Sequence, residues 1–384
     1  MVQLTAFMGA FGVGMCFSFL GAIGIKLMPR LNIDTGRFGS LVSALMIAAV
    51  ISSIPIGLGI DTWGHKPFAI IGFLITAAAM AVIAQSKSYR TVFLASLCLG
   101  VGAMCLSNVG NTLMPKVLFD GQNPAAALNL GNVAFGLGLF LTPFVVSFLF
   151  QKTRFENAVS VLAVIAVIPV VFAFLGRDFP KVPIDFHPSD ALALLTQPTV
   201  ILTALALFCY ISLESSFTNW IAPYTKQVIS KDFPTLPETA VDATSQHMLS
   251  IFAIAMMVGR LLASQVAAIE QHSALSVLIL ALIAAGVVFA MTRSGAMWSA
   301  LLVACGGLAF SAIFPTIAAI ASNRYKDNFG TVFGIIFAVG LLGAVIVPKT
   351  IGNLARGMSI QKSLRLLLPI CAALIVLALI LMKF

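Results

Sequence analysis

Long apolar runs follow one another along the chain, separated by short polar clusters, and each run is continuous rather than alternating in character. A helix needs about 20 apolar residues to cross hydrocarbon, whereas a barrel strand needs roughly ten of alternating type. Runs of spanning length fall at 4–28, 37–60, 67–86, 91–117, 125–150, 157–176, 198–228, 245–268, 273–292, 297–322, 329–352 and 362–383. The pattern therefore predicts an all-α integral membrane fold of twelve transmembrane helices. The longest polar connections run over 176–197 and 226–244, and neither is long enough to fold alone. The first divides the chain into a six-helix bundle over 1–176, a central linker over 177–197 and a second six-helix bundle over 198–384.

The halves resemble each other. Gly102 with Ser107 five residues on recurs as Gly306 with Ser311, and Gly138 with Pro143 recurs as Gly343 with Pro348, in the fourth and fifth helices of each half. A duplicated, pseudo-symmetric six-helix unit is what an alternating-access transporter uses, two similar bundles rocking about a midplane site. Composition agrees with this class. Of 384 residues 60% are hydrophobic and 9% charged, with a mean hydropathy of +1.06, which excludes a water-soluble globule and leaves no room for a soluble catalytic domain. The net charge of +9 is scattered singly between apolar runs, so it does not form a nucleic-acid-binding face. The six cysteines lie inside apolar stretches without metal-ligand or disulfide spacing, and the four histidines fall at helix ends or loops. No metal site and no cofactor are expected. The first run has neither a charged leader nor a cleavage site and reads as a retained helix.

Between the second and third helices stands Gly57-x-x-x-Asp61-Thr62-x-Gly64-His65-Lys66. Gly57, one turn before Asp61, permits close approach of a neighbouring helix, Gly64 permits a tight turn, and Asp61 is suited to accept hydrogen bonds at a helix N-terminus. This stretch, read as the loop before helix three, resembles the signature loop of the major facilitator superfamily. Thr62 departs from the arginine usual in that family. The resemblance implies gating roles for Gly57, Asp61, Gly64 and Lys66 and a cytoplasmic position for this loop, hence cytoplasmic termini and a cytoplasmic linker. The Lys and Arg count points the other way, because the opposite face carries Lys26, Arg30, Arg37, Lys87, Arg90, Lys152, Arg154, Lys226, Lys231, Arg293, Lys349, Arg356, Lys362 and Arg365. The motif is given precedence.

Four further stretches resemble the fucose:proton symporter branch, which includes bacterial hexose symporters. They are Gly100 to Leu113 in helix four, with Gly102, Ser107, Asn108 and Asn111; Leu128 to Gly138 in helix five, with Asn129 and Asn132; Tyr210 to Glu214 followed by Trp220 and Tyr224 in helix seven; and Phe310-Ser311-Ala-Ile-Phe314-Pro315-Thr316 in helix ten. Fucose symporters carry acidic residues in helices one and four. Helix one here has none and Ser107 stands at the helix-four position, so those proton-coupling residues do not carry over.

Charged groups within hydrocarbon cost several kcal/mol unless they face a cavity or a partner, and two lie deep in this chain: Glu214 and Arg260. Glu214 lies ~22 Å into helix seven at about 1.5 Å per residue, with Tyr210 and Thr218 on its face one turn either side. It is the candidate for proton coupling or for orienting a solute; the alternative is a purely structural tie between helices. Arg260, in helix eight, suits a carboxylate solute, a pair with Glu214 or a gate. Ser107, Asn108 and Asn111 share a face of helix four and offer the mixed donors and acceptors a polyhydroxylated solute needs. Trp220, beside Asn219 and Pro223, presents an aromatic plane on which a sugar ring would pack. The candidate substrate-binding set is therefore Ser107, Asn108, Asn111, Tyr210, Glu214, Trp220 and Arg260.

The resulting expectation is a secondary active transporter taking up a sugar or similar small polar solute with protons, monomeric, in a bacterial inner membrane with lipid and substrate as its only partners. The alternative is an exporter or exchanger of an organic anion or drug, which Arg260 favours; Thr142-Pro143 lacks the Gly before Pro common in superfamily antiporters. An enzyme is not expected, because no nucleophile, base or metal constellation lies inside the spans.

Overall fold

Every apolar run becomes a helix, because in hydrocarbon each backbone N–H and C=O must find its partner within its own segment. The structure, a computed structural model, describes residues 1–180 and 193–384, so residues 181–192 of the predicted linker lie outside the described residues. Among the described residues twelve spans are long and apolar enough to cross a membrane. They are α1 (Val2–Leu31), α2 (Thr35–Trp63), α3 (His65–Gln85), α4 (Tyr89–Val117), α5 (Pro124–Lys152), α6 (Phe155–Leu175), α7 (Pro198–Asp232), α8 (Glu238–Ala263), α9 (Ser273–Met291), α10 (Ala296–Arg324), α11 (Phe329–Leu354) and α12 (Ile360–Leu381). Large apolar side chains such as Ile51, Phe144, Phe148 and Leu282 point outward, as a lipid-facing surface requires.

Local signals set the ends. Asp34 caps α2 by accepting the Arg37 N–H at 2.7 Å, and Asn123 accepts the Ala126 N–H at 3.1 Å with Pro124 opening α5. α1 closes at Asn32, whose φ of 50° turns the chain while the Ile33 N–H reaches back to the Met28 carbonyl at 3.1 Å. Several boundaries differ from the sequence reading. Asp61 lies in the last helical turn of α2 and not in a loop; the turn is made by Gly64 alone, at φ 84°. α8 starts at Glu238 rather than near 245 and ends at Ala263 rather than near 268. α7 continues to Asp232, and the polar connection narrows to residues 233–237 because Lys226 pairs with Glu238 at 3.1 Å and Asp242 at 2.7 Å. Polar residues at span ends thus extend helices past the hydrocarbon, where water satisfies them.

By packing, the described residues form two compact units. The first comprises Met1–Ala127, Gly131–Leu195 and Arg324–Ala338; the second comprises Leu128–Leu130, Thr196–Asn323 and Val339–Phe384. In the first, α4 is packed by α1, α2 and α3, and α3 also lies on α6. The second repeats these pairings: α8 and α9 lie on α10, and α9 lies on α12. The duplicated glycines have the same cause in each. A Cβ on Gly138 would strike the carbonyl oxygen of Phe11, and one on Gly14 the carbonyl of Phe135, so α1 and α5 touch backbone to backbone. Gly343 holds the equivalent place in the second unit, where α11 lies against the carbonyl of Phe208 and the side chain of Ser212 in α7.

Candidate functional site

Two polar clusters stand out, one in each unit. In the first unit, Ser53, Gly57 and Asp61 occur at successive turns of α2 and so line one stripe. All three face the start of α11, within Arg324–Ala338. The Asp61 carboxylate, 3% exposed, accepts the Gly330 N–H at 2.9 Å and the Thr331 N–H at 2.6 Å. These are the orphan amides of a helix N-terminus, where a negative charge is favoured. Gly57 meets the carbonyl of Gly330 with no Cβ to spare, and Ser53 Oγ donates to the Gly334 carbonyl at 3.0 Å.

The rest of the motif faces other elements. Lys66 Nζ donates to the Gly176 carbonyl at 2.9 Å, neutralising the C-terminal end of α6. His65 is buried, with Nε2 3.1 Å from Thr112 Oγ1, and Thr112 donates in turn to the Asn108 carbonyl at 2.6 Å. Lys116, one turn further along α4, lies within electrostatic reach of Asp61 and Asp327. Sequence reasoning missed Thr112 and Lys116, although Asn108, Thr112 and Lys116 recur every fourth residue and the spacing was legible. It also missed Gly330 and Thr331, which act through main-chain amides and leave no side-chain signal.

The helix-four amides are turned onto their own helix. Asn108 Nδ2 donates to the Met104 carbonyl at 3.0 Å and Asn111 Nδ2 to the Ser107 carbonyl at 2.9 Å. Asn108 and Ser107 are buried, and the Asn108 Oδ1 acceptor has no hydrogen-bond partner. A buried, unanswered acceptor costs about 1–3 kcal/mol and marks a place for a donor to arrive.

In the second unit the structure brings Tyr210, Glu214 and Arg260 together. Arg260 Nη2 lies 3.3 Å from Glu214 Oε1, and its Nε donates to the Ser311 carbonyl at 3.2 Å. The arginine side chain is 3% exposed and the glutamate 24%, so the carboxylate is the outer member of the pair and the guanidinium lies behind it. Arg260 occupies the last turn of α8, which places a fixed cation at a helix C-terminus. Tyr210 is fully buried; its hydroxyl neighbours both members of the pair and meets neither in hydrogen-bonding geometry. Thr218, read as part of the same stripe, spends its hydroxyl on the Glu214 carbonyl at 2.9 Å. Trp220 belongs to a different contact: its Nε1 donates to the Pro348 carbonyl at 3.1 Å, and its ring rests on bare Gly352.

Among the described residues no group of histidine, cysteine and acidic side chains could hold a metal ion. Each unit thus holds its own polar cluster within the spans: Asp61 answered by main-chain amides in the first, and Glu214 paired with Arg260 in the second.

The comparisons with known proteins bear on the fold and the family. No curated protein sequence matches the chain. Among solved structures, the fold is similar to the E. coli fucose:proton symporter FucP, with TM-score 0.79 and 16% identity over 99% of this chain and 97% of that one. It is similar to the human organic anion transporter MFSD10 (TETRAN), with TM-score 0.75 and 15% identity over 98% of each chain. It is similar also to the proton:xylose symporter XylE, with TM-score 0.73 and 14% identity over 100% of this chain and 95% of that one. At such identities the likeness shows the fold alone. The model of the Major Facilitator Superfamily matches residues 5–348, and the chain, a multi-pass membrane transporter, belongs to that superfamily.

Proposed function

We propose that this transporter works by alternating access of two six-helix bundles, 1–176 and 198–384, and takes up a sugar or similar small polar solute together with protons. The observation that carries the reading is the order of the buried pair. A solute approaching the second unit meets the Glu214 carboxylate first, while Arg260 is spent on Glu214 and the Ser311 carbonyl. Such a site offers acceptors to hydroxyl groups and a proton-carrying group, and it presents no uncommitted cation to an organic anion. The fucose:proton and xylose:proton symporters among similar folds support the same class. The exporter reading, to which the organic anion transporter lends its fold, requires Arg260 to be the exposed member.

In this reading Glu214 couples or orients, Asn108 and Asn111 of the first unit supply amide contacts, and Asp61 with Gly57, Gly64 and Lys66 gates the cytoplasmic end. The protein works as a monomer in a bacterial inner membrane, with both termini in the cytoplasm. Purified protein in liposomes, assayed by counterflow of labelled L-fucose, D-xylose and D-glucose with and without an acidic exterior, tests the proposal. Exchange of one sugar, with accumulation only under the gradient, is the expected result. Exchange of an organic anion such as citrate, and of none of the sugars, would overturn it.

A further inference from the structure

The Glu214 and Arg260 pair rests on a carbonyl that an ordinary helix would not offer. In a continuous helix the Ser311 C=O would accept the N–H of residue 315, but residue 315 is proline and has none. α10 breaks at this place, its helical segments ending at Ser311 and resuming at Ile313. The carbonyl so released is the one that accepts Arg260 Nε at 3.2 Å. Close approach makes the bond possible: a Cβ on Gly259 would stand on the Ser311 side chain, so α8 can lie this near α10 only with glycine beside the arginine. The Ser311 hydroxyl is turned away to the Leu308 carbonyl at 2.7 Å, so what Ser311 offers the guanidinium is its main-chain carbonyl. Phe314, next to the proline, packs its ring 6.2 Å from that of Tyr210.

We infer that Pro315 is a positioning residue of this site: by leaving the Ser311 carbonyl without its helical donor it supplies the acceptor that fixes Arg260, and through Arg260 the orientation of Glu214. The inference deepens the transport reading of this pair and rests on it for function, but the anchoring itself is independent of any solute. An arginine side chain left to itself samples many rotamers, and two fixed ends remove that freedom. The pair also gains a mechanical consequence. Any movement that straightens the break in α10 would carry the Ser311 carbonyl away from Arg260 and leave the guanidinium paired with Glu214 but without this main-chain anchor.

Two measurements test it. In the unaltered protein with ¹⁵N-labelled arginine, the Nε–H resonance of Arg260, assigned by its disappearance in Arg260→Lys, should exchange with deuterated water at least tenfold more slowly than exposed arginines such as Arg293. Exchange as fast as theirs overturns the anchoring, whether or not any sugar is transported. Pro315→Ala restores the N–H that competes for the carbonyl, and should make Arg260 reactive to phenylglyoxal, read by mass spectrometry, where the parent is protected. The thermal shift it causes should shrink when Arg260 is already glutamine. Full additivity of the two shifts, or protection of Arg260 in a folded Pro315→Ala protein, would refute the role. If the parent exchanges no sugar while both anchoring results hold, the transport reading fails and the anchoring stands.

Discussion

At the scale of single residues, two carboxylates do different work because their surroundings differ. Glu214 shares its charge with Arg260 and keeps one side open. Replacing it by glutamine preserves shape and most hydrogen bonding and removes titration. Glu214→Gln should abolish solute accumulation driven by a proton gradient while leaving equilibrium exchange within a few fold of the parent; accumulation that survives under an acidic exterior would make the residue structural. Asp61 faces no such opening and is answered by two main-chain amides. Hydrogen bonds to a charged group are worth about 1.5–3 kcal/mol each, and asparagine offers one acceptor oxygen where the aspartate offers two. Asp61→Asn should therefore raise hydrogen exchange at Gly330 and Thr331 by tenfold or more and slow transport turnover, with solute affinity changed only a few fold. Loss of binding in a folded Asp61→Asn protein would place the aspartate in the solute site instead.

At the scale of helices, stability depends on how closely backbones approach, since lipid is as apolar as leucine and offers no hydrophobic drive between spans. Gly343 is the sharpest case in the second unit, its missing Cβ occupied by the Phe208 carbonyl and Ser212 of α7. Gly343→Ala should destabilise the protein by about 1–3 kcal/mol, the usual cost of overpacking, read as a lower midpoint of thermal aggregation in detergent. An unchanged midpoint would mean that α11 shifts without cost. The elements themselves were legible, because period and length of the apolar runs report directly on the need to cross hydrocarbon. The Gly138 and Gly343 repeat was legible too, though not its reason. What the sequence did not disclose is where helices continue into water. Residues 238–244 look polar and loop-like, yet they are helical and clamp Lys226. Nor could spacing reveal that Asn108, Asn111 and Thr218 would turn their side chains onto their own helices. Arg260 and Glu214 could be named as deep charges, but which of them stands outermost depends on how α7, α8 and α10 pack, which no spacing within one helix reports.

For the whole molecule, orientation brings the motif and the charge count into opposition. Several basic residues on the face opposite the termini have local reasons to be there. Lys26 donates to the Phe150 carbonyl at 3.0 Å near the end of α5, Arg30 pairs with Glu156 at 2.6 Å, and Lys226 bridges two acids. Each satisfies a helix end or an acidic partner in the folded protein, so its presence there does not depend on the direction of insertion. With cytoplasmic termini, a cysteine at Gly357, between α11 and α12, should react with membrane-impermeant maleimide on intact cells. One at Asp120, between α4 and α5, should react only after permeabilisation. The reverse pattern would invert the topology.

The tie between Asp61 and the start of α11 is made with main-chain amides, and this shapes how the gene can vary. At position 331 the bond itself is made by the amide; the hydroxyl lies beside the Asp61 carboxylate but outside hydrogen-bonding geometry. Serine, alanine or valine there would leave the amide in place, so neutral drift among small residues is open to this codon and closed at Asp61. Proline, by deleting the N–H, would remove one of the two main-chain donors from the other side. A saturation library selected for transport should accordingly retain the small residues at 331, deplete proline there, and rank aspartate above every other residue at 61, the slower asparagine variant included.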